Sequence, residues 1–339
     1  MKIIVPMAGR GSRLRPHTLT VPKPLVPIAG MPIVHRLVQD IAGVLNTDIE
    51  EIAFVIGPDF GQQVEDDLHK IAAELGAANS RIFYQHEPLG TGHAIMMAAD
   101  ALEGPCVVAY ADTLFTADFT LDADADAVIW VKQVDKPEAY GVVQLNDEGR
   151  ITDFVEKPTE FVSDLAIIGI YYFKSGERLR KELQHLMDNN ITKGGEYQLT
   201  DALESMKVAG LRFMPGTVDQ WMDCGNKDIA LDTNHRMLDI LATRKDPLVT
   251  TAPAHASEDV AIIEPCIIGE GTVILNSSIG PHVTIGSNCV IENSSLRNCL
   301  IQNDTHISNA DLQDSMIGNK VRYDGNFTSV SLGDYTTLD

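Results

Sequence analysis

The basic side chains near the amino terminus lie in a loop of small residues and could hold phosphate. Arg13 offers a rigid fork of donors that matches phosphate oxygens, and Lys23 stands between two prolines that stiffen its backbone. Small residues let backbone N–H groups approach an anion closely, and this segment contains Ala8, Gly9, Gly11 and Ser12. The segment therefore predicts a loop that binds a polyphosphate.

The distribution of charge agrees with that interpretation. Residues 1–39 contain six Lys or Arg and no Asp or Glu, although the 339-residue chain has a formal net charge of −22. Such an acidic protein is a poor partner for nucleic acid or an anionic membrane. A basic segment within it indicates a small anionic ligand.

Two aspartates that are remote in sequence could bind a metal ion. Asp112 and Asp223 each follow a short apolar run, at residues 107–110 and 220–222. Mg²⁺ prefers carboxylate oxygens together with waters and substrate phosphates. One such aspartate alone would be explained equally well as a cap or surface group, but the pair beside a phosphate loop predicts a Mg²⁺ site.

Alternating strand-like and helix-like segments must position these residues. Strands are predicted at residues 3–5, 52–56, 82–84 and 106–110, and helices at residues 32–45 and 60–75. This alternation is typical of a doubly wound α/β sheet, in which ligands bind at the carboxyl ends of the strands. Later strands are predicted at 127–134, 141–145, 151–156, 167–173, 211–214 and 220–222, and helices at 176–187, 199–209 and 226–241.

The end of the chain has a different periodicity. Apolar residues recur at intervals of five or six, at Ile262, Ile268, Ile274, Ile279, Ile285, Ile291, Leu296, Ile301, Ile307, Leu312 and Ile317. This period predicts a left-handed parallel β-helix built from hexapeptide repeats rather than a generic all-β domain. Asparagines suited to left-handed corners stand at 276, 288, 293, 298, 303, 309 and 319. We therefore expect a catalytic domain at 1–242, a linker at 243–253 and a β-helix at 254–339.

The remaining composition argues for a cytoplasmic protein without a zinc site. No apolar run is long enough to span a membrane, and the first residues do not resemble a signal peptide. The five cysteines form no Cys-x-x-Cys pair, so reduced thiols are expected. The ten histidines show no spacing typical of metal ligands, and those of the repeat region (His255, His282 and His306) are interpreted as corner or surface residues.

The motifs occur together in a known family. GRGSRL at residues 9–14 with PKPL at 22–25 resembles the signature of the sugar-1-phosphate nucleotidylyltransferases, although many relatives have glycine where Ala8 stands. The resemblance covers nearly the whole chain and is closest to the long form of the glucose-1-phosphate thymidylyltransferases and related uridylyltransferases. It implies transfer of a nucleoside monophosphate from an NTP to a sugar 1-phosphate, with release of pyrophosphate.

The resemblance also assigns the substrate pockets. The loop at residues 84–94 is similar to the base-reading loop of members that use dTTP or UTP, which implies that Gln85, Gly90 and Thr91 bind a pyrimidine base. The nucleotide would also contact the first loop, at Ala8, Gly9, Gly11 and Ser12. Sugar-pocket motifs carry over to Gly141, Glu156, Lys157 and Ile168. Ile167 stands where relatives that use N-acetylglucosamine have Asn, which favours glucose. Residues 196–201 resemble a segment near the sugar, or are a helix cap formed by Thr200 or Asp201.

The implied mechanism is a direct in-line displacement. Arg13, Lys23 and Lys157 would hold the phosphates, while Asp112 and Asp223 would place Mg²⁺. Two alternatives stay open: a non-catalytic regulatory subunit that binds a nucleotide sugar, and a bifunctional enzyme with acyltransferase activity on the β-helix. The β-helix is also expected to mediate homo-oligomerisation.

Overall fold

The computed structural model describes residues 1–118, 121, 125–249 and 253–326. The chain divides into two compact units, of which the first contains Met1–Val26 and Pro32–Cys224. The second contains Pro27–Met31 and the described residues from Gly225 onward. Residues 250–252 of the predicted linker and 327–339 of the predicted β-helix lie outside the described residues.

Thirteen strands and five helices precede residue 224 in the described part of the chain. The strands are β1 (Lys2–Pro6), β2 (Pro27–Ile28), β3 (Met31–Pro32), β4 (Glu51–Ile56), β5 (Asn79–Tyr84), β6 (Cys106–Ala109), β7 (Thr113–Thr116), β8 (Ala127–Gln133), β9 (Gly141–Leu145), β10 (Ile151–Glu156), β11 (Leu165–Phe173), β12 (Phe213–Thr217) and β13 (Gln220–Asp223). The helices are α1 (Ile33–Leu45), α2 (Gln62–Glu74), α3 (Thr91–Met97), α4 (Gly176–Asp188) and α5 (Leu199–Val208).

The first unit is built on a mixed sheet whose strand order is β10-β9-β11-β6-β1-β4-β5, with β8 also paired to β11 and to β12. Strands β6, β1, β4 and β5 run parallel, while β11 is antiparallel to β6. All six residues of β4 are buried, as expected for a strand covered on both faces. The predicted α/β sheet is confirmed.

Amphipathic helices cover this sheet. In α1 the residues Ile33, Leu37 and Ile41 are buried, and in α2 the residues Leu68 and Ile71 are buried. Spacings of three and four place these side chains on one helical face. The same spacing in the sequence predicted both helices. Within the described ranges, no helix is long and apolar enough to cross a membrane.

The second unit contains one helix and a stack of short strands. The helix is α6 (Lys227–Thr243), and the strands are β14 (His255–Ala256), β15 (Ala261–Ile262), β16 (Cys266–Ile268), β17 (Val273–Leu275), β18 (Ser278–Ile279), β19 (Val283–Ile285), β20 (Val290–Glu292), β21 (Ser295–Ile301), β22 (His306–Ser308), β23 (Asp311–Ile317) and β24 (Arg322–Asp324).

These strands form a parallel β-helix, as predicted. One face is the parallel stack β14-β17-β20-β22-β24, and the others share the long strands β21 and β23. Successive coils place Ile274 beside Ile291 and Ile291 beside Ile307. These three side chains are buried in an apolar core. Ile262 differs from the prediction because it is 39% exposed, on a strand at the edge of its sheet.

Asparagine corners follow the prediction in part. Positive φ angles are found at Asn276, Asn288, Asn293, Asn298 and Asn309. At the other two predicted corners the positive φ is found one residue later, at Asp304 instead of Asn303 and at Lys320 instead of Asn319. Those two instead accept backbone hydrogen bonds: Asn303 Oδ1 from Ser287 N, and Asn319 Oδ1 from Asn303 N.

Helix α6 groups with the β-helix, whereas the sequence analysis assigned residues 227–242 to the catalytic domain. The reason is that α6 contacts β21, β23 and β2, all of which belong to the second unit. A boundary predicted from periodicity follows the change of pattern along the chain. The boundary between the two units in the structure instead depends on which elements the helix packs against.

We predict that Ile291→Ala lowers the free energy of unfolding by about 2–5 kcal/mol, because a fully buried side chain leaves a cavity. Ile262→Ala is the matched control, since its side chain is partly exposed and should cost much less. Urea unfolding of the full chain, followed by circular dichroism, measures both. Equal losses in the two variants would contradict the assignment of inward positions.

Candidate active site

The loop after β1 folds tightly against Lys23. Gly11 has φ +60°, and a Cβ atom there would lie 2.7 Å from Lys23 Cβ. The Thr18 hydroxyl donates to Gly11 O at 2.8 Å, and buried Leu14 anchors the short 3₁₀ turn Ser12–Leu14. Only glycine combines this backbone angle with so close an approach. Ala8 is partly buried, whereas Gly9 and Ser12 are exposed.

Lys23 connects this loop to the carboxyl end of β6. Its side chain is only 8% exposed, and its ammonium lies 3.2 Å from Asp112 Oδ2. A buried ammonium is costly unless a negative partner compensates its lost hydration. The carboxylate of Asp112 is 47% exposed and supplies that partner. Lys23 and Asp112, two predicted site residues from remote segments of the sequence, are therefore in contact.

Asp223 lies next to Asp112 through backbone pairing. Strands β7 and β13 are antiparallel with Asp223 opposite Thr113, and Cys224 N donates to Asp112 O at 3.2 Å. Burial raises the pKa of Asp223, and the negative charge of Asp112 raises it further, while Lys23 and Arg13 oppose the shift. The structure thus brings the predicted metal-binding pair together.

The donor set of this pair suits a hard divalent cation. Both groups are carboxylates, and the ammonium of Lys23 already lies against one of them as a cation. In the described part of the chain, a group of three potential metal ligands is found at His235, Asp239 and His282, and it does not include Asp112 or Asp223. An ion held here by Asp112 and Asp223 would therefore need water or phosphate oxygens, which is the coordination that Mg²⁺ prefers.

Arg13 is exposed at the edge of the same site. Its positive charge lowers the pKa of Asp223 and of Tyr140, although burial is the larger effect and raises both. Its neighbour Arg10 instead forms an ion pair with Asp59. Two arginines of the same loop therefore have different surroundings, and of the two only Arg13 was predicted to bind phosphate.

The predicted base-reading loop follows β5. Gln85 Nε2 donates to Gly90 O at 3.2 Å and lies 3.1 Å from His93 Nδ1. Gly90 has φ +106°, and a Cβ atom there would lie 2.6 Å from Tyr197 O. The close approach of two backbones requires glycine here.

Thr91 and the segment at residues 196–199 form one hydrogen-bonded unit. Thr91 Oγ1 accepts from Leu199 N at 3.1 Å and donates to Gln198 Oε1 at 3.2 Å. Helix α5 begins at Leu199 with Gln198 as its N-cap. The alternative that Thr200 or Asp201 caps this helix is therefore wrong. Sequence reasoning also missed the support that Tyr197 gives to the loop, through its bond to Leu89 O.

The predicted sugar residues lie on neighbouring strands. Gly141 and Glu156 are opposite each other in the β9–β10 pair, and a Cβ atom on Gly141 would lie 2.9 Å from Glu156 Oε2. Lys157 follows with φ +44°, an uncommon angle for a lysine that often marks functional sites. The side chain of Ile168 is 1% exposed, and its backbone oxygen accepts from Thr113 Oγ1 at 2.9 Å.

An aromatic pair that sequence reasoning missed stands beside these residues. Tyr140 and Trp221 pack edge to face with ring centroids 4.9 Å apart. Trp221 lies on β13 two residues before Asp223, and Tyr140 O accepts from Lys157 N at 3.1 Å. The pair therefore connects the strand of a predicted metal ligand to the predicted sugar residues. Both aromatics stand in the sequence close to predicted site residues, Tyr140 before Gly141 and Trp221 before Asp223, but the sequence does not show that they touch.

Comparison with known proteins adds independent findings. A sequence model described as nucleotidyl transferase matches residues 2–239. The chain is 28% identical to a glucose-1-phosphate thymidylyltransferase from Streptomyces griseus, over 95% of this chain and 93% of that protein. It is 28% identical to the bifunctional protein GlmU from Methanococcus vannielii, over 98% of this chain and 81% of that protein.

A solved structure shows a similar fold. The nucleoside-diphosphate-sugar pyrophosphorylase from Vibrio cholerae matches with a TM-score of 0.59 at 19% identity. The match covers 68% of this chain and 99% of that one.

We predict that Asp223→Asn raises the free energy of unfolding at pH 7. The pKa of Asp223 is raised in the folded state, so wild-type stability falls as pH rises from the unfolded pKa through the folded one. Asparagine stays neutral, so the variant does not lose this stability as pH rises. The difference in free energy of unfolding between variant and wild type should vanish below about pH 4, where Asp223 is protonated in the folded and the unfolded state. Denaturant unfolding across pH measures it, with exposed Asp147→Asn as the control. A lower stability of Asp223→Asn at pH 7 would contradict this.

Proposed function

Because the chain belongs to the nucleotidyl transferase family, we propose that it transfers a nucleoside monophosphate from dTTP or UTP to a sugar 1-phosphate and releases pyrophosphate. Glucose 1-phosphate is the proposed acceptor, in keeping with the name of the Streptomyces griseus relative. The observation that carries the proposal is the contact of Lys23 with Asp112, next to Asp223 and Arg13. Two phosphate-bearing substrates need such a mixture of cations and carboxylates.

The reaction is an in-line displacement that needs no covalent enzyme nucleophile. A phosphate oxygen of the sugar 1-phosphate attacks the α-phosphorus of the NTP, the bond to the β-phosphate oxygen breaks, and pyrophosphate leaves. Arg13 holds the leaving pyrophosphate, Lys23 the α-phosphate and Lys157 the sugar phosphate. The enzyme contributes position and charge neutralisation in the transition state. Arg13 is exposed at the site edge, where it can meet the outer phosphates.

Mg²⁺ is the proposed metal, held by Asp112 and Asp223. When bound, it would neutralise the charge of the phosphate oxygens. The adjacent carboxylates support this role because a dication would offset the negative charge of Asp112, which adds to the effect of burial in raising the pKa of Asp223. Lys23 then exchanges part of its contact with Asp112 for the α-phosphate.

The loop at residues 85–92 reads the base. Gln85 Nε2 is engaged with Gly90 O and His93, so Gln85 Oε1 accepts from N3–H of a pyrimidine, and the Gly90 backbone adds a second contact. Thymine and uracil present the same hydrogen-bonding edge, so either base fits. Thr91 supports the loop through Leu199 N. Ala8, Gly9, Gly11 and Ser12 surround the nucleotide phosphates.

The sugar lies beside β9 and β10. Glu156 accepts hydrogen bonds from sugar hydroxyls, and Gly141 leaves room above its partner carboxylate. The left-handed backbone of Lys157 presents its ammonium to the phosphate, and Ile168 supports the pocket from the core.

A regulatory subunit would have no need for Arg13, Lys23, Asp112 and Asp223 together, and no observation favours acyl transfer on the β-helix. We place the protein in the cytoplasm and assign homo-oligomerisation to the β-helix.

A substrate panel tests the proposed reaction. Purified protein with Mg²⁺ is given each of dTTP, UTP, CTP, ATP and GTP with glucose 1-phosphate or N-acetylglucosamine 1-phosphate, and pyrophosphate release is measured. We expect release with dTTP or UTP and glucose 1-phosphate, and none after chelation of the metal. Release only with purine nucleotides, or with no pair, would contradict the proposal.

We predict that Arg13→Ala lowers turnover by about 10²-fold or more, since a charged transition-state contact is lost. The fold should persist because Arg13 is exposed. Arg15→Ala is the matched control, because Arg15 is also exposed and has no assigned contact in the reaction. Steady-state kinetics with circular dichroism measures both. Turnover near normal in Arg13→Ala, or an equal loss in Arg15→Ala, would remove Arg13 from the site.

A further inference from the structure

Two histidines and an aspartate of the second unit form a cluster that includes none of the predicted site residues. His235 and Asp239 are one helical turn apart on α6, and His282 stands between β18 and β19 of the β-helix. We propose that this cluster binds a divalent transition-metal ion, of which zinc is the probe we choose.

The ligand atoms are already close enough to share an ion. One candidate atom from each of the three residues lies within 4.8 Å of the others. His235 Nε2 is 3.4 Å from Asp239 Oδ2, and His282 Nε2 is 2.8 Å from Asp239 Oδ1. Two ligand atoms on a tetrahedral zinc ion lie about 3.4 Å apart, given bond lengths of about 2.1 Å. The two nitrogen–oxygen separations are close to that value, and rotation of the two histidine side chains would be needed to aim both ring nitrogens at one ion.

The backbone holds both elements in place. Asn234, next to His235, is fully buried, and its Oδ1 accepts from Ala29 N at 2.9 Å and from Thr284 Oγ1 at 2.8 Å. Thr284 is two residues after His282, so this amide fixes α6 beside β19, the strand that directly follows the third ligand. The N–H of His282 donates to Pro265 O at 2.8 Å, which fixes the corner. A site with ligands fixed in advance loses less entropy on binding.

The two imidazole rings face each other beside the same carboxylate, that of Asp239. The imidazoles of His235 and His282 are stacked, with centroids 3.5 Å apart and planes 13° apart. The ring nitrogens lie in these nearly parallel planes, so the two rings must turn relative to each other before both can bind one ion. A neutral imidazole nitrogen is a metal ligand. One carboxylate facing two imidazoles is a nitrogen and oxygen donor set that suits zinc, nickel or copper better than magnesium.

Solvent can complete the coordination. The side chains of His235 and Asp239 are 41% and 55% exposed, whereas His282 is 17% exposed. Three protein ligands with an open position accept water as the fourth ligand. Because the ligands come from α6 and from a β-helix corner, the ion would join two elements of the second unit and stabilise it against unfolding. This role does not involve the proposed nucleotide reaction.

The test measures zinc binding without substrate. Full-length protein, treated with chelator and dialysed, is titrated with Zn²⁺ in excess Mg²⁺, which occupies the carboxylates of Asp112 and Asp223. Titration calorimetry gives the affinity, and thermal unfolding gives the stabilisation. The variants are His235→Gln and His282→Gln. The matched control is His306→Gln, because His306 Nε2 lies 3.5 Å from Glu292 Oε2 in a histidine–carboxylate pair outside this cluster.

We expect one Zn²⁺ per chain with a raised melting temperature in the wild type and in His306→Gln. Both cluster variants should bind about tenfold or more weakly and lose the thermal shift. An anomalous scattering peak between the three side chains in zinc-soaked crystals would support the assignment directly. No zinc-dependent shift in the wild type, or unchanged binding in both cluster variants, would overturn the proposal.

Discussion

The contact between Lys23 and Asp112 is the interaction on which the arrangement of the candidate active site depends. It joins residues 89 positions apart in sequence and neutralises an ammonium that is almost fully buried. The loop after β1 can reach this position only because Gly11 lacks a Cβ atom where Lys23 passes. The same contact places the carboxylate of Asp112 at the carboxyl end of β6, beside Asp223. Cationic and anionic side chains from remote segments are thus held in one place.

Several residues of this site are held in states that cost stability. The pKa of Asp223 is raised because a carboxylate is buried beside a second carboxylate, and Lys157 has a left-handed backbone. Strain and desolvation of this kind are typical of sites whose ligands later compensate them. A phosphate-bearing substrate with a divalent cation would relieve the carboxylate repulsion and supply negative charge to the exposed Arg13.

Local patterns in the sequence predicted much of the fold, but they could not predict which remote segments come into contact. The spacing of apolar residues located α1, α2 and most β-helix positions, because that spacing directly reflects burial. It could not assign α6 to its unit, nor show that Ile262 lies on an edge strand. Motifs and strand ends in the sequence singled out Arg13, Lys23, Asp112 and Asp223, but they gave no sign of the hydrogen bond that Leu199 N donates to Thr91 Oγ1. Nor could the spacing of the histidines show that His282 lies close to His235 and Asp239 of α6, because these residues meet only in the folded chain.

A double-mutant cycle on Lys23 and Asp112 tests the central claim most directly. Lys23→Met, Asp112→Asn and the double variant are compared with wild type in the free energy of unfolding. If the pair organises the site, removing one partner leaves the other without compensation, and the double variant loses less than the sum of the single losses, by about 0.5–3 kcal/mol. Additive losses would contradict the claim, because they would show that Lys23 and Asp112 contribute to the fold independently.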